Sequence, residues 1–228
     1  MRQKELIMGK ADKEKVVMCF GDSNTWGCNP EDGSRMDRST RWPGMLQREL
    51  GASFHVVEEG LGGRTTVWDD PIEGDRNGYK QLVPVMKSHM PMDLLVIMLG
   101  TNDLKNRFSV SAEDIARSVE RLVSLVHQYS GVFVDDRVEV LVICPPPIAD
   151  MSGMELENIF IGAEPKSREL AAAFRRRCRE SSIRLINAGD IIESSPIDGI
   201  HLAPSEHATL GRAVAEEIRQ ILCWPKVK

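Results

Sequence analysis

Ser23 has the residue type and the sequence position of a nucleophile for acyl transfer. It lies in segment 21–27, Gly-Asp-Ser-Asn-Thr-Trp-Gly, directly after an apolar run. A serine just past a buried strand can expose its hydroxyl beside free backbone N–H groups. The same sequence is also ordinary turn chemistry, because glycine tolerates unusual backbone angles and Asp and Ser bond their own backbone. A nucleophilic role therefore depends on a base, an acid and oxyanion donors elsewhere in the chain.

His201 and Asp198 are the candidate base and its acid. Their Asp-Gly-Ile-His spacing lets the carboxylate accept a hydrogen bond from one ring nitrogen, which leaves the other nitrogen free to take the serine proton. A turn-forming aspartate is the alternative interpretation of Asp198. The remaining histidines have no such acid nearby in the sequence and are expected to be structural or solvated; they are His55, His89, His127 and His207.

Gly63 and Asn102 are candidates for the oxyanion hole, together with the backbone N–H of Ser23. The pair Gly62-Gly63 follows a second apolar run and lets a backbone N–H approach an oxyanion without an intervening side chain, although a flexible turn is the alternative. Asn102 lies in Gly-Thr-Asn-Asp after a third run. Its side-chain NH₂ suits a tetrahedral intermediate, and a turn or cap role is the alternative.

A substrate pocket is predicted beside the nucleophile. Its candidate residues are Asp22, Trp26 and Cys28, which flank Ser23 in the sequence. Trp26 could equally belong to the core, and Asp22, like Asp103, is expected to shape a turn. Acyl transfer of this kind needs neither a metal nor an organic cofactor, so none is predicted.

Length and composition indicate one globular domain. The chain has 228 residues, of which 42% are hydrophobic and 28% charged, and it contains no low-complexity stretch. We predict a single domain over residues 1–228, with residues 1–14 as a flexible or oligomer-contact segment. The net charge is -5, and the basic run 175–177 is expected to be a solvated helix face. Nucleic acid is therefore not an expected partner.

The sequence favours a cytoplasmic protein without a membrane partner. No apolar run approaches the ~20 residues that span a bilayer, and residues 1–15 are too charged for a signal peptide. The five cysteines are odd in number, widely spaced and without a C-x-x-C pair, so neither a disulfide framework nor a zinc site is indicated. They are Cys19, Cys28, Cys144, Cys178 and Cys223.

Apolar runs alternate with amphipathic patterns along the chain. The clearest helix is predicted over 111–129, where apolar residues recur every three or four positions and Ser111 can cap the amino end. Strands are predicted at 16–20, 55–58, 94–99, 138–143 and 184–187, and further helices at 43–50, 79–89, 166–180 and 204–222.

This alternation predicts a three-layer α/β/α sandwich with a five-stranded parallel sheet of the flavodoxin-like type. Ligands bind beyond the carboxyl ends of parallel strands, which is where the four motifs fall. Segments 29–41 and 145–164 are long enough to be lids, pocket walls or contact surfaces. If the fifth strand lies three positions from the first, the gap is about 14 Å. Segment 190–200 reaches up to about 36 Å and can return His201 across it.

The four motifs resemble those of the SGNH hydrolases, also called GDSL-type esterases, and the resemblance runs from Val16 to the final helix. It implies Ser23 as nucleophile, His201 as base with Asp198 as its acid, and an oxyanion hole of Ser23, Gly63 and Asn102. Stretches 19–27, 58–66, 97–103 and 198–202 look like the arylesterase branch, which includes acyltransferase-active enzymes.

The resemblance to that branch implies a small-molecule ester substrate, with short-chain or aryl groups, and homo-oligomers from dimers up to octamers. Two positions depart from the pattern. Asn24 stands where the common motif has leucine, and Cys28 stands where acyltransferase-active relatives carry tryptophan. A smaller residue at position 28 should widen or rewet the acyl pocket and weaken transfer to alcohols.

The predicted function is that of a serine esterase that forms an acyl-enzyme, with acyl transfer as a side activity. A carbohydrate acetylesterase would use the same three residues on an acetylated sugar and is the alternative. A binding module of the same fold that lacks activity is a remote one. A flavodoxin-like nucleotide binder ranks last, because no phosphate-binding glycine-rich motif opens the first helix.

Overall fold

The computed structural model describes residues 14–130 and 137–222, so most of the predicted amino-terminal segment 1–14 and Cys223 lie outside the described residues. Helices and strands alternate along the chain. The strands are β1 (Lys15–Gly21), β2 (Phe54–Gly60), β3 (Leu94–Met98), β4 (Glu139–Cys144) and β5 (Arg184–Asn187). The helices are α1 (Ser23–Trp26), α2 (Trp42–Leu50), α3 (Gly78–Ser88), α4 (Ala112–Ser130), α5 (Ala163–Glu180) and α6 (Pro204–Leu222).

All five strands are parallel, in the order β2-β1-β3-β4-β5. This is the flavodoxin-like order, and the predicted fold class is confirmed. β5 lies three strand positions from β1. The sequence analysis assumed this separation when it estimated the gap that segment 190–200 must span to bring His201 to Ser23. In the part of the chain that the structure describes, no helix is both long and apolar enough to cross a bilayer.

The sheet separates two hydrophobic cores, because successive side chains of a strand point to opposite faces. In β1, Met18 and Phe20 pack with residues of α3, α4 and α5. Val17 and Cys19 pack on the other face with residues of α2 and α6. All four side chains have no exposed surface. A strand buried on both faces therefore ends directly at the nucleophile motif.

The helix boundaries follow their local chemistry. Ser111 caps α4 as predicted: its hydroxyl accepts a hydrogen bond from Asp114 N–H at 3.1 Å and donates to the Asp114 carboxylate at 2.6 Å. α5 begins at Ala163, three residues before the predicted start at 166. Pro165 falls in its first turn, where the missing N–H costs no intrahelical bond.

Two glycines allow the turn of helix after β1 to lie against the sheet. A Cβ on Gly60, at the end of β2, would collide with the backbone of Trp26. A Cβ on Gly21, at the end of β1, would collide with the side chain of Thr25. α1 therefore packs directly on the carboxyl ends of two neighbouring strands, and this contact sets the position of Ser23.

Candidate active site

Ser23 is the first residue of α1, a single helical turn that the sequence analysis did not predict. The Asp22 carboxylate accepts a hydrogen bond from Asn24 N–H at 3.0 Å and so caps the turn. Gly27 ends it with φ of 89°, a left-handed conformation that favours glycine. First-turn amides have no acceptor inside a helix, so the Ser23 N–H is available to a ligand.

Ser23, His201 and Asp198 form one continuous chain of hydrogen bonds. His201 Nε2 lies 2.9 Å from Ser23 Oγ, and His201 Nδ1 lies 2.5 Å from Asp198 Oδ2. The other oxygen, Asp198 Oδ1, accepts the backbone N–H groups of Ile200 and His201, each at 2.9 Å. Asp198 is therefore both the turn former and the partner acid of the histidine.

Asn24 connects the nucleophile turn to the histidine loop. Its side chain is 1% exposed. Asn24 Nδ2 donates to the carbonyl of Ile200 at 3.3 Å, and Asn24 Oδ1 accepts from Leu202 N–H at 3.1 Å. The two bonded residues stand on either side of His201. Asn24 thus holds the backbone that carries the histidine, a role the sequence analysis missed although it noted asparagine in place of leucine.

The electrostatics of the His201 and Asp198 pair favour a charged imidazolium. Burial lowers the pKa of His201, but the hydrogen bond with the Asp198 carboxylate opposes it and holds the pKa above its usual value. Burial raises the pKa of Asp198, yet the hydrogen bonds from His201 and from two backbone N–H groups lower it overall. Asp198 is therefore ionised and His201 is a stronger base than usual.

Gly63 and Asn102 lie in turns that are tied to the end of β1 and to each other. Gly63 has φ of 77°, and its N–H donates to no backbone carbonyl among the described residues. Leu61 N–H donates to the carbonyl of Gly21 at 3.1 Å, which joins this turn to the nucleophile segment. Asn102 Nδ2 donates one hydrogen to the carbonyl of Arg64 at 3.2 Å. The second Nδ2 hydrogen stays available.

Arg64 is a buried cation that links these elements, and the sequence analysis did not single it out. Its Nη1 donates to the carbonyl of Gly21 at 2.7 Å and to that of Glu59. Its guanidinium lies 4.1 Å from the centre of the Phe20 ring. Burial lowers its pKa to about 10, so it stays charged at neutral pH. Arg64 therefore joins the ends of β1 and β2, while its carbonyl orients Asn102.

Asp22 and Asp103 are buried carboxylates of the turns after β1 and β3. Burial raises the pKa of each to about 6. Asp103 accepts the backbone N–H and the hydroxyl of Thr66, so it joins the turn after β3 to the turn after β2. Asp22 is only 1% exposed and has almost no surface to offer a substrate. Both residues shape turns in the structure.

Trp26 and Cys28 are half-buried residues near the site. The Arg35 guanidinium lies 5.3 Å from the centre of the Trp26 ring, and Arg35 Nε donates to the Trp26 carbonyl at 2.9 Å. Cys28 pairs with Arg35 through an isolated backbone bridge. Segment 29–41 therefore folds back against the nucleophile turn.

Within residues 14–130 and 137–222, no group of three or more His, Cys, Asp or Glu side chains could hold a metal ion.

The remaining histidines lie in other environments. His207 is buried, and its Nδ1 accepts the Trp42 N–H at 3.2 Å, so it is a structural residue. Burial lowers its pKa to about 4. His89 lies 2.7 Å from the Glu59 carboxylate, a pairing that sequence spacing could not show because the residues belong to different elements.

Many hydrolases combine an α/β fold with a serine, a histidine and an aspartate at the carboxyl edge of the sheet. Comparison with protein families shows to which family this chain belongs. The model of the GDSL-like lipase/acylhydrolase family matches residues 19–208. The chain belongs to this family, as the resemblance in its motifs predicted. None of the curated proteins compared with the chain matches it.

Solved structures of similar proteins cover nearly the whole chain. The aryl esterase of M. smegmatis is 41% identical with a TM-score of 0.87. Est24, a carbohydrate acetylesterase from Sinorhizobium meliloti, is 37% identical with a TM-score of 0.86. A putative arylesterase from Agrobacterium tumefaciens is 38% identical with a TM-score of 0.83. Each comparison covers 91% of this chain and 100% of the other.

Replacing Asn24 by leucine tests whether its side chain holds the histidine loop. Asn24→Leu nearly keeps the side-chain shape but leaves the Ile200 carbonyl and the Leu202 N–H without their partner. We expect the free energy of unfolding, measured by urea denaturation, to fall by ~1–3 kcal/mol. Asn106→Leu is the control, because the Asn106 side chain is exposed. Equal stability of Asn24→Leu and the unchanged protein would contradict this role.

Proposed function

We propose that the protein is a serine esterase that hydrolyses short-chain or aryl carboxylic esters through an acyl-enzyme. The observation that carries the proposal is the hydrogen-bonded chain from Ser23 Oγ through His201 to Asp198. Family membership and the aryl esterase and acetylesterase structures support ester hydrolysis. The catalytic roles that follow are assigned to this chain's own residues.

Acylation begins when Ser23 Oγ attacks the carbonyl carbon of the ester. His201 Nε2 takes the serine proton, and the ionised Asp198 stabilises the resulting imidazolium through Nδ1–H. The tetrahedral intermediate then collapses. The bond to the leaving oxygen breaks, and His201 returns the proton to the departing alcohol or phenol. Ser23 is left as an ester of the acyl group.

Deacylation repeats these steps with water as the nucleophile. His201 takes a proton from a water molecule, whose oxygen attacks the acyl carbon of the Ser23 ester. Collapse of the second intermediate releases the carboxylic acid and returns the proton to Ser23 Oγ. An alcohol in place of water would give acyl transfer, which we propose as a side activity.

The charge on the carbonyl oxygen requires preorganised donors in both intermediates. We assign this role to the backbone N–H groups of Ser23 and Gly63 and to the side chain of Asn102. The Gly63 N–H has no carbonyl partner among the described residues, and Asn102 keeps one Nδ2 hydrogen beyond its bond to Arg64. We further propose that Trp26 and Cys28 line the substrate pocket.

A carbohydrate acetylesterase is the second candidate, because Est24 carries that description at 37% identity. It would use the same three residues on an acetylated sugar. Acetate release from acetylated oligosaccharides, compared with release from aryl acetates, distinguishes the two activities.

A homo-oligomer, a single domain over residues 1–228 and a cytoplasmic location are further proposals from the sequence. The four described cysteines are free, which is consistent with a reducing compartment.

Replacing Ser23 by alanine tests the nucleophile. Ser23→Ala should reduce the hydrolysis of p-nitrophenyl acetate, followed by the absorbance of p-nitrophenolate, to the background rate. A fluorophosphonate should label the unchanged protein but not this variant, which also excludes an inactive binding module. Ser34→Ala is the matched control, because the Ser34 hydroxyl is exposed and bonds to Asp32. Equal rates for Ser23→Ala and the unchanged protein would overturn the assignment.

Asn102→Ala tests the oxyanion hole. Loss of one donor to the developing charge should lower kcat for p-nitrophenyl acetate by ~10²–10³. The control is Asn106→Ala, an exposed asparagine four residues further along, which should keep the original kcat. If kcat of Asn102→Ala is unchanged, Asn102 does not stabilise the oxyanion.

The pH profile tests the pairing of His201 with Asp198. His201 accepts a proton only when neutral, so kcat/KM should increase as the pH rises through its pKa. Because Asp198 raises that pKa, the midpoint should lie above the usual value of about 6.5. Asp198→Asn should lower kcat/KM and move the midpoint to lower pH. Phenyl acetate hydrolysis in a pH-stat measures both quantities.

The matched control for this profile is Asp190→Asn. Asp190 is an exposed carboxylate that pairs with Arg175, so its removal should leave the midpoint where it is in the unchanged protein. A midpoint that stays fixed in Asp198→Asn would show that the carboxylate does not set the basicity of His201.

A further inference from the structure

Asp22 is a buried carboxylate beside the nucleophile, and none of the acyl-transfer steps uses it. Asp22 Oδ1 accepts Asn24 N–H at 3.0 Å. Asp22 Oδ2 is shielded from solvent and has no hydrogen-bond partner in the described part of the chain. An asparagine caps a helix as well as an aspartate does, and it carries no charge. Capping therefore does not explain why a charge is buried at this position, where burial is costly.

The Asp22 carboxylate lies at the junction between the nucleophile turn and the histidine loop. Both residues that follow it contact that loop. Ser23 Oγ lies 2.9 Å from His201 Nε2, and the Asn24 side chain bonds the backbone on either side of His201. Burial raises the pKa of Asp22, and a charged His201 lowers it. Such coupling is reciprocal, so an ionised Asp22 favours a proton on His201.

The other charged groups near Asp22 do not neutralise it by direct contact. Arg64 also lowers the pKa of Asp22, but its guanidinium donates to two backbone carbonyls and to Gln81 Oε1 at 2.9 Å. The Asp103 carboxylate is bound by the N–H and hydroxyl of Thr66. Burial raises the pKa of Asp103, and an ionised Asp22 raises it further. The charge of Asp22 therefore still acts on the buried groups around it.

The titratable groups that surround His201 come from three other parts of the chain. Asp198 bonds its Nδ1, and the thiol of Cys28 and the imidazole of His207 also interact with it. Burial lowers the pKa of His207 to about 4, so this imidazole is neutral at neutral pH. Asp198 and Asp22 are therefore two anions that favour the imidazolium, one bonded to it and one acting at a distance.

We propose that Asp22 is a positioning residue that acts through His201: its buried carboxylate stabilises the proton that His201 takes from Ser23. Asp198 supports the imidazolium from its Nδ1 side, and Asp22 adds a second negative charge from the nucleophile side. In a low-dielectric interior such a charge acts without a hydrogen bond. Asp22 itself neither gains nor loses a proton in the reaction. This role in catalysis rests on the proposed ester hydrolysis.

Asp22→Asn removes the charge and keeps the cap. The pKa of His201 should fall by about 0.5–1 pH unit. It is measured from the NMR shifts of the ring protons, which His201→Gln assigns. Asp22→Ser also retains a capping oxygen and is the second variant, with the same expected fall. An unchanged pKa in these variants would overturn the proposal. The titration needs no substrate, so failure to hydrolyse any ester would reject the proposed function alone.

The pH profile of kcat/KM for phenyl acetate separates this role from a structural one. Above the His201 midpoint the resting imidazole is neutral and only the transition state holds the proton, so kcat/KM of Asp22→Asn should be ~3–10-fold lower. Between pH 6, above which Asp22 is mostly ionised, and the midpoint, the resting imidazole already holds the proton. Asp22 then stabilises both states alike, and the acidic limbs should coincide. An equal loss on both limbs would show that Asp22 only shapes the turn.

The free energy of unfolding gives an independent check. Burial raises the pKa of Asp22 from its ordinary 3.8 to about 6, so its ionised form opposes folding. This group therefore stabilises the fold more as the pH falls from about 6 to about 4. Asp22→Asn should lose that contribution and be at least as stable as the unchanged protein at pH 7 in urea denaturation. A clear loss of stability at pH 7 would contradict the view that the charge is retained for the reaction.

Asp32→Asn is the matched control. Asp32 Oδ1 accepts the N–H of Ser34, two residues further on, at 3.0 Å, which is the same local bond that Asp22 makes to Asn24. Asp32 is exposed, so its charge is screened by solvent. The pKa of His201, the pH profile and the stability of Asp32→Asn should all match those of the unchanged protein.

Discussion

The site depends on the contact between His201 Nε2 and Ser23 Oγ, which joins the loop after β5 to the turn after β1. These strands are three positions apart in the sheet, and the two residues are 178 positions apart in the sequence. Holding a long connection in one geometry costs conformational entropy. Asn24 offsets this cost with bonds on both sides of His201, and Asp198 adds two bonds to the loop's own backbone.

Buried polar groups also fix the turns that follow β2 and β3. Arg64 binds the carbonyls that end β1 and β2, and Asp103 binds the N–H and hydroxyl of Thr66. In a low-dielectric interior such bonds are strong when complete and costly when broken, so they define one arrangement of the loops. Not every buried polar atom near this edge is paired: among the described residues, Asp22 Oδ2, Thr25 Oγ1 and Arg76 Nε have no hydrogen-bond partner.

Sequence patterns predicted some elements of this structure well and missed others. The five strands are found within a few residues of their predicted limits, because fully buried strands have continuous apolar runs. α1 was missed, since four residues are too few for a helical period, and α5 begins earlier than predicted because proline is tolerated in a first turn. The sequence analysis noted Asn24 only because asparagine stands where the common family motif has leucine. No pattern distinguished Arg64 or Arg76 from solvated arginines.

The sequence by itself determined the parallel α/β fold, the family and the residues that bear the chemistry, because strand burial and short motifs are local properties. Only the tertiary structure decided which polar side chains form hydrogen bonds between loops and which have no partner. Asn24, Arg64 and Asp103 make their decisive bonds to residues 176, 43 and 37 positions away, respectively. Such bonds exist only after the carboxyl ends of the strands have met at one edge, so no local pattern encodes them.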